Sequence, residues 1–116
     1  MASHNELGAR GETLAVNFLR SKNYSILATN WRWHKAEVDI IAQIDNTLVF
    51  AEVKTRSSDT FIKPEEAVNE KKQQLLIEAA EAYCDANEIE MELRFDVIAI
   101  VHQGSKIITK HIEGAF

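Results

Sequence analysis

The chain has 116 residues, 46% of them hydrophobic, and a formal net charge of −5. This length and composition predict one globular domain, residues 1–116, with a single core. No apolar run approaches the roughly 20 residues that a membrane-spanning helix needs, and the first residues lack an apolar signal core, so we expect a cytoplasmic protein with no membrane partner. A single cysteine excludes an internal disulfide.

The first predicted element is a helix over about residues 5–22, where apolar side chains recur with helical spacing. Gly8 and Gly11 lie inside it, and each glycine costs about 1 kcal/mol relative to alanine. Their presence suggests that another backbone or a ligand approaches this helix closely. Glu12 lies on the same face and is either a functional carboxylate or an ordinary helix-surface glutamate.

Three strands are predicted next, over residues 24–33, 36–44 and 46–56, because these segments are rich in β-branched and aromatic residues. Pro64, Glu65 and Glu66 then favour the start of a helix that continues to about residue 87. Residues 91–101 and 106–112 predict two further strands. The order is αβββαββ, and the second helix is long enough to make the third and fourth strands parallel, which gives a mixed α/β sheet flanked by helices.

The segment AEVDIIAQIDNTLVFAEVKTR, residues 36–56, places charged residues inside predicted strands. A two-residue turn at Asp45 and Asn46 pairs Ile44 with Thr47, and a four-residue loop gives the same register. That register sets two pairs opposite each other: Asp39 with Glu52, and Glu37 with Lys54. Regular alternation then puts the apolar neighbours on the other face: Val38, Ile40, Val49, Ala51 and Val53.

Opposed carboxylates about 5 Å apart destabilise a sheet unless a cation lies between them or one of them is protonated. Asp39 and Glu52, with the backbone carbonyl of Val53, offer hard oxygen ligands that suit Mg²⁺ or Mn²⁺. Lys54 beside them can orient or deprotonate a water, or stabilise charge on a phosphate. The alternatives are a solvated charged strand face and a simple cross-strand salt bridge between Glu37 and Lys54.

Basic and aromatic residues surround this segment and predict contacts to nucleic-acid phosphates. The predicted contacts are Arg32, His34, Lys35, Arg56, Lys63 and Lys71. Lys71 and its neighbour Lys72 can equally form a solvated helix face. Trp31 and Trp33 interleave with the basic residues; an exposed tryptophan can stack on an unpaired base, but we expect at least one of the two in the core.

The motifs GARGETLAVNFL, NWRWHKAEVDIIA, LVFAEVKTR, KPEEAVNEKK and RFDVIAI together resemble the YraN-like family of bacterial proteins. That family is similar to PD-(D/E)XK nucleases and archaeal Holliday junction resolvases. The resemblance implies a restriction-endonuclease-like fold, with Asp39 and Glu52 as metal ligands, Lys54 as the catalytic lysine and Glu12 as an additional carboxylate. Glu37 matches a family glutamate and is a further candidate for the site.

The resemblance also has departures. Asn23, Ala36 and Ile62 occupy positions where the family usually has glycine, but none of them is a proposed ligand. Asp96 matches a family motif, and its expected role is structural, bonding backbone or Arg94. Similarity to junction resolvases implies a homodimer that presents two sites to a symmetric substrate.

The sequence therefore predicts an Mg²⁺- or Mn²⁺-dependent endonuclease that hydrolyses DNA phosphodiester bonds, with branched DNA in repair or recombination as one substrate class. Single strands, flaps and RNA stay open as substrates. The alternative is a non-catalytic nucleic-acid-binding or assembly module that keeps the nuclease fold.

Overall fold

The computed structural model describes residues 4–57 and 68–116, with the side chains of residues 10–56 and 68–116. It confirms the predicted order αβββαββ. The elements are α1 (His4–Ser21), β1 (Ser25–Trp33), β2 (Ala36–Ile44), β3 (Thr47–Ser57), α2 (Glu70–Ala86), β4 (Glu92–Gln103) and β5 (Lys106–Ile112). In the described ranges, no helix is long and apolar enough to cross a membrane.

The five strands form one sheet in the order β1-β2-β3-β4-β5. Neighbouring strands are antiparallel except β3 and β4, which run parallel as predicted. The parallel pair requires a crossover, and α2 provides it between the two strands. The sheet is therefore mixed, with its two edges at β1 and β5.

Each face of the sheet packs against one helix. Ala15 and Leu19 of α1 contact a cluster that includes Ile40, Val49 and Ile98. On the opposite face, α2 packs on a second cluster, whose sheet residues include Ile41, Leu48, Phe50 and Val97. Because both faces are covered, the central strands are apolar on both sides, which explains why they read as continuous hydrophobic runs.

The second helix begins later than the sequence suggests. Asn69 has an extended backbone and its side chain accepts a hydrogen bond of 2.9 Å from the Lys72 N–H, which makes it the N-cap of α2. A helix running without interruption from Pro64 is therefore wrong, since Val68 and Asn69 are not helical. Pro64 itself lies outside the described residues.

Asp96 in β4 is fully buried and has a structural role. Its carboxylate accepts hydrogen bonds from Arg94 at 2.9 and 2.8 Å and from the Gly114 N–H at 3.0 Å, and lies 2.6 Å from His111 Nε2. Burial alone would raise the pKa of Asp96, but the hydrogen bonds from His111 and Arg94 outweigh it and hold that pKa below its usual value. The network ties β4 to β5 and to the residues after β5.

Gly11 marks the place where α1 meets β3. A Cβ at this position would overlap Thr55 Oγ1, so any larger residue requires the Thr55 side chain to move from its observed rotamer. The close approach expected at Gly11 is present, but the approaching group is the Thr55 side chain, whereas a backbone or a ligand was predicted. The surroundings of Gly8 lie outside the described side chains.

We expect Gly11→Ala to destabilise the protein by about 1–3 kcal/mol, because the overlap with Thr55 exceeds the helix propensity that alanine gains. Urea unfolding of Gly11→Ala in the parent and in a Thr55→Ala background measures this cost. The Thr55→Ala background removes Oγ1, so the glycine substitution should be neutral or stabilising there. An equal cost in both backgrounds would contradict this packing.

Candidate functional site

The site lies where β2 and β3 part. Their pairing runs from Ile44 and Thr47 to Ile40 and Ala51, which is the register that the two-residue turn predicts. Beyond Ile40 the backbone pairing stops, and the Val53 N–H donates instead to Asp39 Oδ2 at 2.8 Å. Asp39 and Glu52 thus stand just past the end of the ladder, and the predicted backbone pairing of the two is not among the pairs that form.

The strand β2 also changes faces at Asp39. Val38 belongs to the cluster under α2, whereas Ile40 belongs to the cluster under α1. An uninterrupted strand would put these two residues on one face. The predicted shared face is therefore wrong for Val38, because the chain rotates at Asp39 where the side chain replaces a ladder hydrogen bond.

Glu52 is the buried charge of the site, with 7% of its surface exposed. Its Oε1 accepts a hydrogen bond from Lys72 Nζ and lies 3.4 Å from Lys54 Nζ. Its Oε2 is buried and has no hydrogen-bond partner among the described residues. A buried carboxylate oxygen without a partner carries an uncompensated desolvation cost, so this oxygen is open to a cation.

Asp39 carries an unusual pKa. Burial and then the charge of Glu52 raise the pKa of Asp39 to about 7, although the hydrogen bond from the Val53 N–H opposes the shift. Glu12 and Glu37 add smaller repulsions in the same direction. Burial is thus the larger cause of the raised pKa, and repulsion from Glu52 adds to it, as like charges at close range do.

Two lysines approach the carboxylates from different elements. Burial lowers the pKa of Lys54 on β3, and the charge of Glu52 offsets this only in part. Burial also acts to lower the pKa of Lys72 on α2, but the hydrogen bond to Glu52 and the charges of Glu52 and Asp39 together outweigh it, so that pKa is raised. Lys54 is thus the cation of the pair that gives up its proton more readily.

Lys72 is the site residue that sequence reasoning missed. The sequence treats it together with Lys71 as a phosphate contact or a solvated helix residue, yet of these two helix lysines it is Lys72 that contacts Glu52. Lys72 precedes the buried Leu76 and Ala79 by four and seven residues, so it shares their helix face. The sequence signal that could have identified Lys72 is its position on the buried face of the helix.

Glu37 does not pair with Lys54. It forms an ion pair of 3.2 Å with Arg32, its cross-strand neighbour on β1. The proposed salt bridge between Glu37 and Lys54 is therefore wrong, because β2 has a partner on both sides and Glu37 turns to β1. Arg32 is largely exposed in this pair, which leaves its guanidinium accessible to solvent.

Glu12 is half-buried on α1 and lines a shallow groove of about 400 Å³ together with Asn17, Thr29 and Asn30. Asn30 lies on β1 between the residues that pair with Val38 and Ile40, so the groove adjoins Asp39. Glu12 contributes to the raised pKa of Asp39. It is therefore an electrostatic neighbour of the paired carboxylates.

Oxygen ligands fit a hard divalent cation here. Across residues 4–57 and 68–116, no three His, Cys, Asp or Glu side chains group as a metal site. The predicted set of Asp39, Glu52 and the Val53 carbonyl therefore leaves most positions to water, as Mg²⁺ prefers. The unpartnered Glu52 Oε2 and the repulsion on Asp39 are both features that such a cation would relieve.

The remaining predicted contacts occupy several elements around the site. His34 and Lys35 are exposed in the turn between β1 and β2, Lys71 is exposed at the start of α2, and Arg56 is half-buried on β3. Lys63 lies outside the described residues. Trp31 packs edge-on against Tyr83 at 5.2 Å, and both tryptophans are partly buried against the cluster under α2 without belonging to its buried residues, so the expectation of a core tryptophan is met only in part.

Comparison with known proteins finds one family. The sequence profile described as "Uncharacterised protein family UPF0102" matches residues 11–100, a range that contains the whole site. A UPF0102 protein of Flavobacterium psychrophilum is 50% identical over 116 residues, covering 100% of this chain and 98% of the relative. The values are the same for a UPF0102 protein of Christiangramia forsetii, and one from Alkaliphilus oremlandii is 46% identical over 114 residues, covering 96% of this chain and 97% of the relative.

The pKa of Asp39 predicts how stability depends on pH in metal-free solution. The unfolded chain loses this proton near pH 4, and the folded chain loses it at about 7. Between these values the folded state binds more protons, so Asp39 makes the protein less stable as pH rises from about 4 to about 7. Asp39→Asn removes this loss and keeps an acceptor for the Val53 N–H.

Thermal melting in EDTA between pH 5 and pH 9 measures the effect. We expect the melting temperature of Asp39→Asn to exceed that of the parent by a margin that widens up to about pH 7 and is constant above about pH 8. Glu92→Gln is the matched control, since it removes an exposed carboxylate charge on β4 that does not contribute to the raised pKa of Asp39. A margin for Asp39→Asn that does not vary with pH would refute the assignment.

Proposed function

This chain belongs to the UPF0102 family, in agreement with the YraN-like resemblance, and from the geometry of its site we propose that the protein hydrolyses phosphodiester bonds in DNA in a divalent-metal-dependent reaction. The observation that carries the proposal is that Asp39 and Glu52 lie close together just past the end of the β2–β3 ladder, near enough for the charge of Glu52 to help raise the pKa of Asp39, with Lys54 against Glu52 and Glu52 Oε2 left without a partner among the described residues. A structural role alone gives no reason to bury an unpartnered carboxylate oxygen beside a second carboxylate.

In the proposed reaction, Asp39, Glu52 and the Val53 carbonyl would hold Mg²⁺ or Mn²⁺. The cation, when bound, supplies Lewis-acid polarisation of a phosphate oxygen and favours deprotonation of water. Hydrolysis joins the water oxygen to phosphorus and breaks one bridging P–O bond, while a proton leaves the water and another reaches the leaving oxygen. Lys54 is suited to assist, because its lowered pKa eases proton exchange and its ammonium form stabilises charge on the phosphate.

Basic side chains around the site support nucleic acid as the substrate. Arg32, His34 and Lys35 are exposed at one end of β1 and β2, and Lys71 is exposed in the first turn of α2. Such residues position a nucleic acid through its phosphates without reading sequence. The overall charge of −5 is compatible with this role, since local clusters govern encounter with a polyanion.

One observation favours a second candidate function, a non-catalytic nucleic-acid-binding or assembly module. Lys72 and Lys54 already neutralise Glu52, and the pKa of about 7 lets Asp39 carry a proton in about half of the molecules near pH 7. A site that satisfies its own charges does not require a metal to be stable. Metal binding and cleavage together distinguish the two functions.

The direct test is incubation of the protein with labelled four-way junctions, flaps, single strands, duplex DNA and RNA, each with Mg²⁺, Mn²⁺ or EDTA. Cleavage that requires the metal and is lost in Asp39→Asn and Glu52→Gln would support the nuclease. Binding of these nucleic acids with no cleavage under any metal condition would favour the module.

The substitution Lys54→Ala tests the catalytic role proposed for Lys54. We expect it to lower the cleavage rate about a hundredfold or more, the scale for losing one positioned acid, base or electrostatic group, while metal and DNA affinities stay near the parental values. Lys106→Ala, which removes an exposed lysine on β5, is the control and should cut at the parental rate. A Lys54→Ala variant that cuts as fast as the parent would remove Lys54 from the mechanism.

We further propose that two copies of the chain associate, since a two-fold pair would offer two sites to a symmetric branched substrate. Light scattering at high micromolar concentration should give the mass of a homodimer. A monomeric mass under those conditions would contradict this proposal and leave the single-site chemistry intact.

A further inference from the structure

The contact between Lys72 and Glu52 is not required by the nuclease proposal. Lys54 alone would supply the lysine that the chemistry uses, yet Glu52 Oε1 also accepts a hydrogen bond from Lys72 on α2. The Lys72 side chain is 39% exposed while that of Glu52 is 8% exposed. A buried carboxylate is thus neutralised by an ammonium group that keeps access to solvent.

The position of Lys72 is fixed by the helix that carries it. Its backbone N–H is bonded to the cap residue Asn69, and Val68 and Leu76 on either side of it are buried. Lys71 is exposed and has no contact with Glu52 in the described part of the chain. The first turn of α2 therefore presents one lysine to the carboxylates and its neighbour to solvent.

Two lysines already face the paired carboxylates in the absence of metal. Asp39 and Glu52 face Lys54 and Lys72, two potential negative charges against two positive ones. A divalent cation added to this set creates an excess of positive charge close to Lys72, the more exposed of the two lysines. Repulsion then favours movement of the Lys72 ammonium away from Glu52 and toward any anion at the surface.

We propose that Lys72 is the counter-ion of Glu52 in the metal-free protein, that it competes with a divalent cation for this carboxylate, and that once released it binds a phosphate of the nucleic acid. This inference rests on the proposed metal site and deepens it. Metal binding releases Lys72 from Glu52, and a bound phosphate holds Lys72 in the released position. Each ligand therefore raises the affinity of the protein for the other.

Calorimetric titration with Mn²⁺ tests the competition. We expect Lys72→Met to bind Mn²⁺ at least about threefold more tightly than the parent, the scale of one partly exposed ion pair. Lys71→Met is the matched control, since it removes the same charge from the adjacent position without losing the contact, and its Mn²⁺ affinity should change by less than about 1.5-fold because solvent and salt screen an exposed charge. Lys72→Gln keeps a hydrogen-bond donor for Glu52 and should also bind Mn²⁺ more tightly than the parent. This variant keeps the test possible if Lys72→Met does not fold.

Fluorescence anisotropy with a labelled single-stranded oligonucleotide tests the coupling. The gain in affinity that Ca²⁺ produces over EDTA should be at least about threefold smaller in Lys72→Met than in the parent. Parental or weaker Mn²⁺ affinity in both Lys72 variants would overturn the inference while leaving the nuclease proposal standing. Tighter Mn²⁺ binding in a protein that cuts nothing would support the inference and count against the nuclease, and a parent that binds no Mn²⁺ would overturn both.

Discussion

The hydrogen bond from the Val53 N–H to the Asp39 carboxylate determines the arrangement of the site. A backbone donor buried at the end of a β-ladder must find an acceptor, and here the acceptor is a side chain instead of the neighbouring backbone. The substitution lets β2 rotate, so that Val38 and Ile40 pack on opposite sides of the sheet. It also keeps Asp39 close to Glu52, at the expense of a pKa raised to about 7.

The two helices hold this arrangement in place from opposite sides. On the α1 side, Gly11 allows the helix to approach β3 at Thr55, three residues beyond Glu52. On the α2 side, the cap at Asn69 sets the first turn so that Lys72 reaches Glu52. The buried carboxylate is thus stabilised by residues that the ordinary packing of the fold already positions, which is how a charge can remain in a largely apolar interior.

Much of this architecture follows from local patterns in the sequence. Hydrophobic periodicity predicts the order of elements, and the turn at Asp45 and Asn46 predicts the register of β2 and β3, because a turn fixes register without knowledge of the rest of the fold. The hydrogen bond from the Val53 N–H to Asp39 cannot be predicted in this way, because regular strand alternation assumes an unbroken ladder. Glu37 pairs with Arg32 on β1, a strand that a register derived from the β2–β3 hairpin alone does not include.

The contact of Lys72 with Glu52 joins residues that are 20 positions apart and on different elements. The periodicity of α2 could have indicated which helix face Lys72 occupies, but the partner on the sheet follows only from the docking of the crossover helix. Similarly, Pro64 is compatible with a helix start, and it is the extended backbone at Asn69 that sets the observed boundary. Sequence patterns predict elements better than they predict the contacts between them.

The parallel pairing of β3 and β4 has a consequence for how the chain folds. β1, β2 and β3 pair with neighbours in sequence, and so do β4 and β5, but the pairs from Thr47 with Glu92 to Ser57 with His102 join the two groups across the crossover. Closing that long loop is the entropically costly step, so the strand groups can form before they meet. Because Lys72 lies on the crossover helix itself, the same element that joins the two strand groups also brings the neutralising ammonium to the buried carboxylate of Glu52.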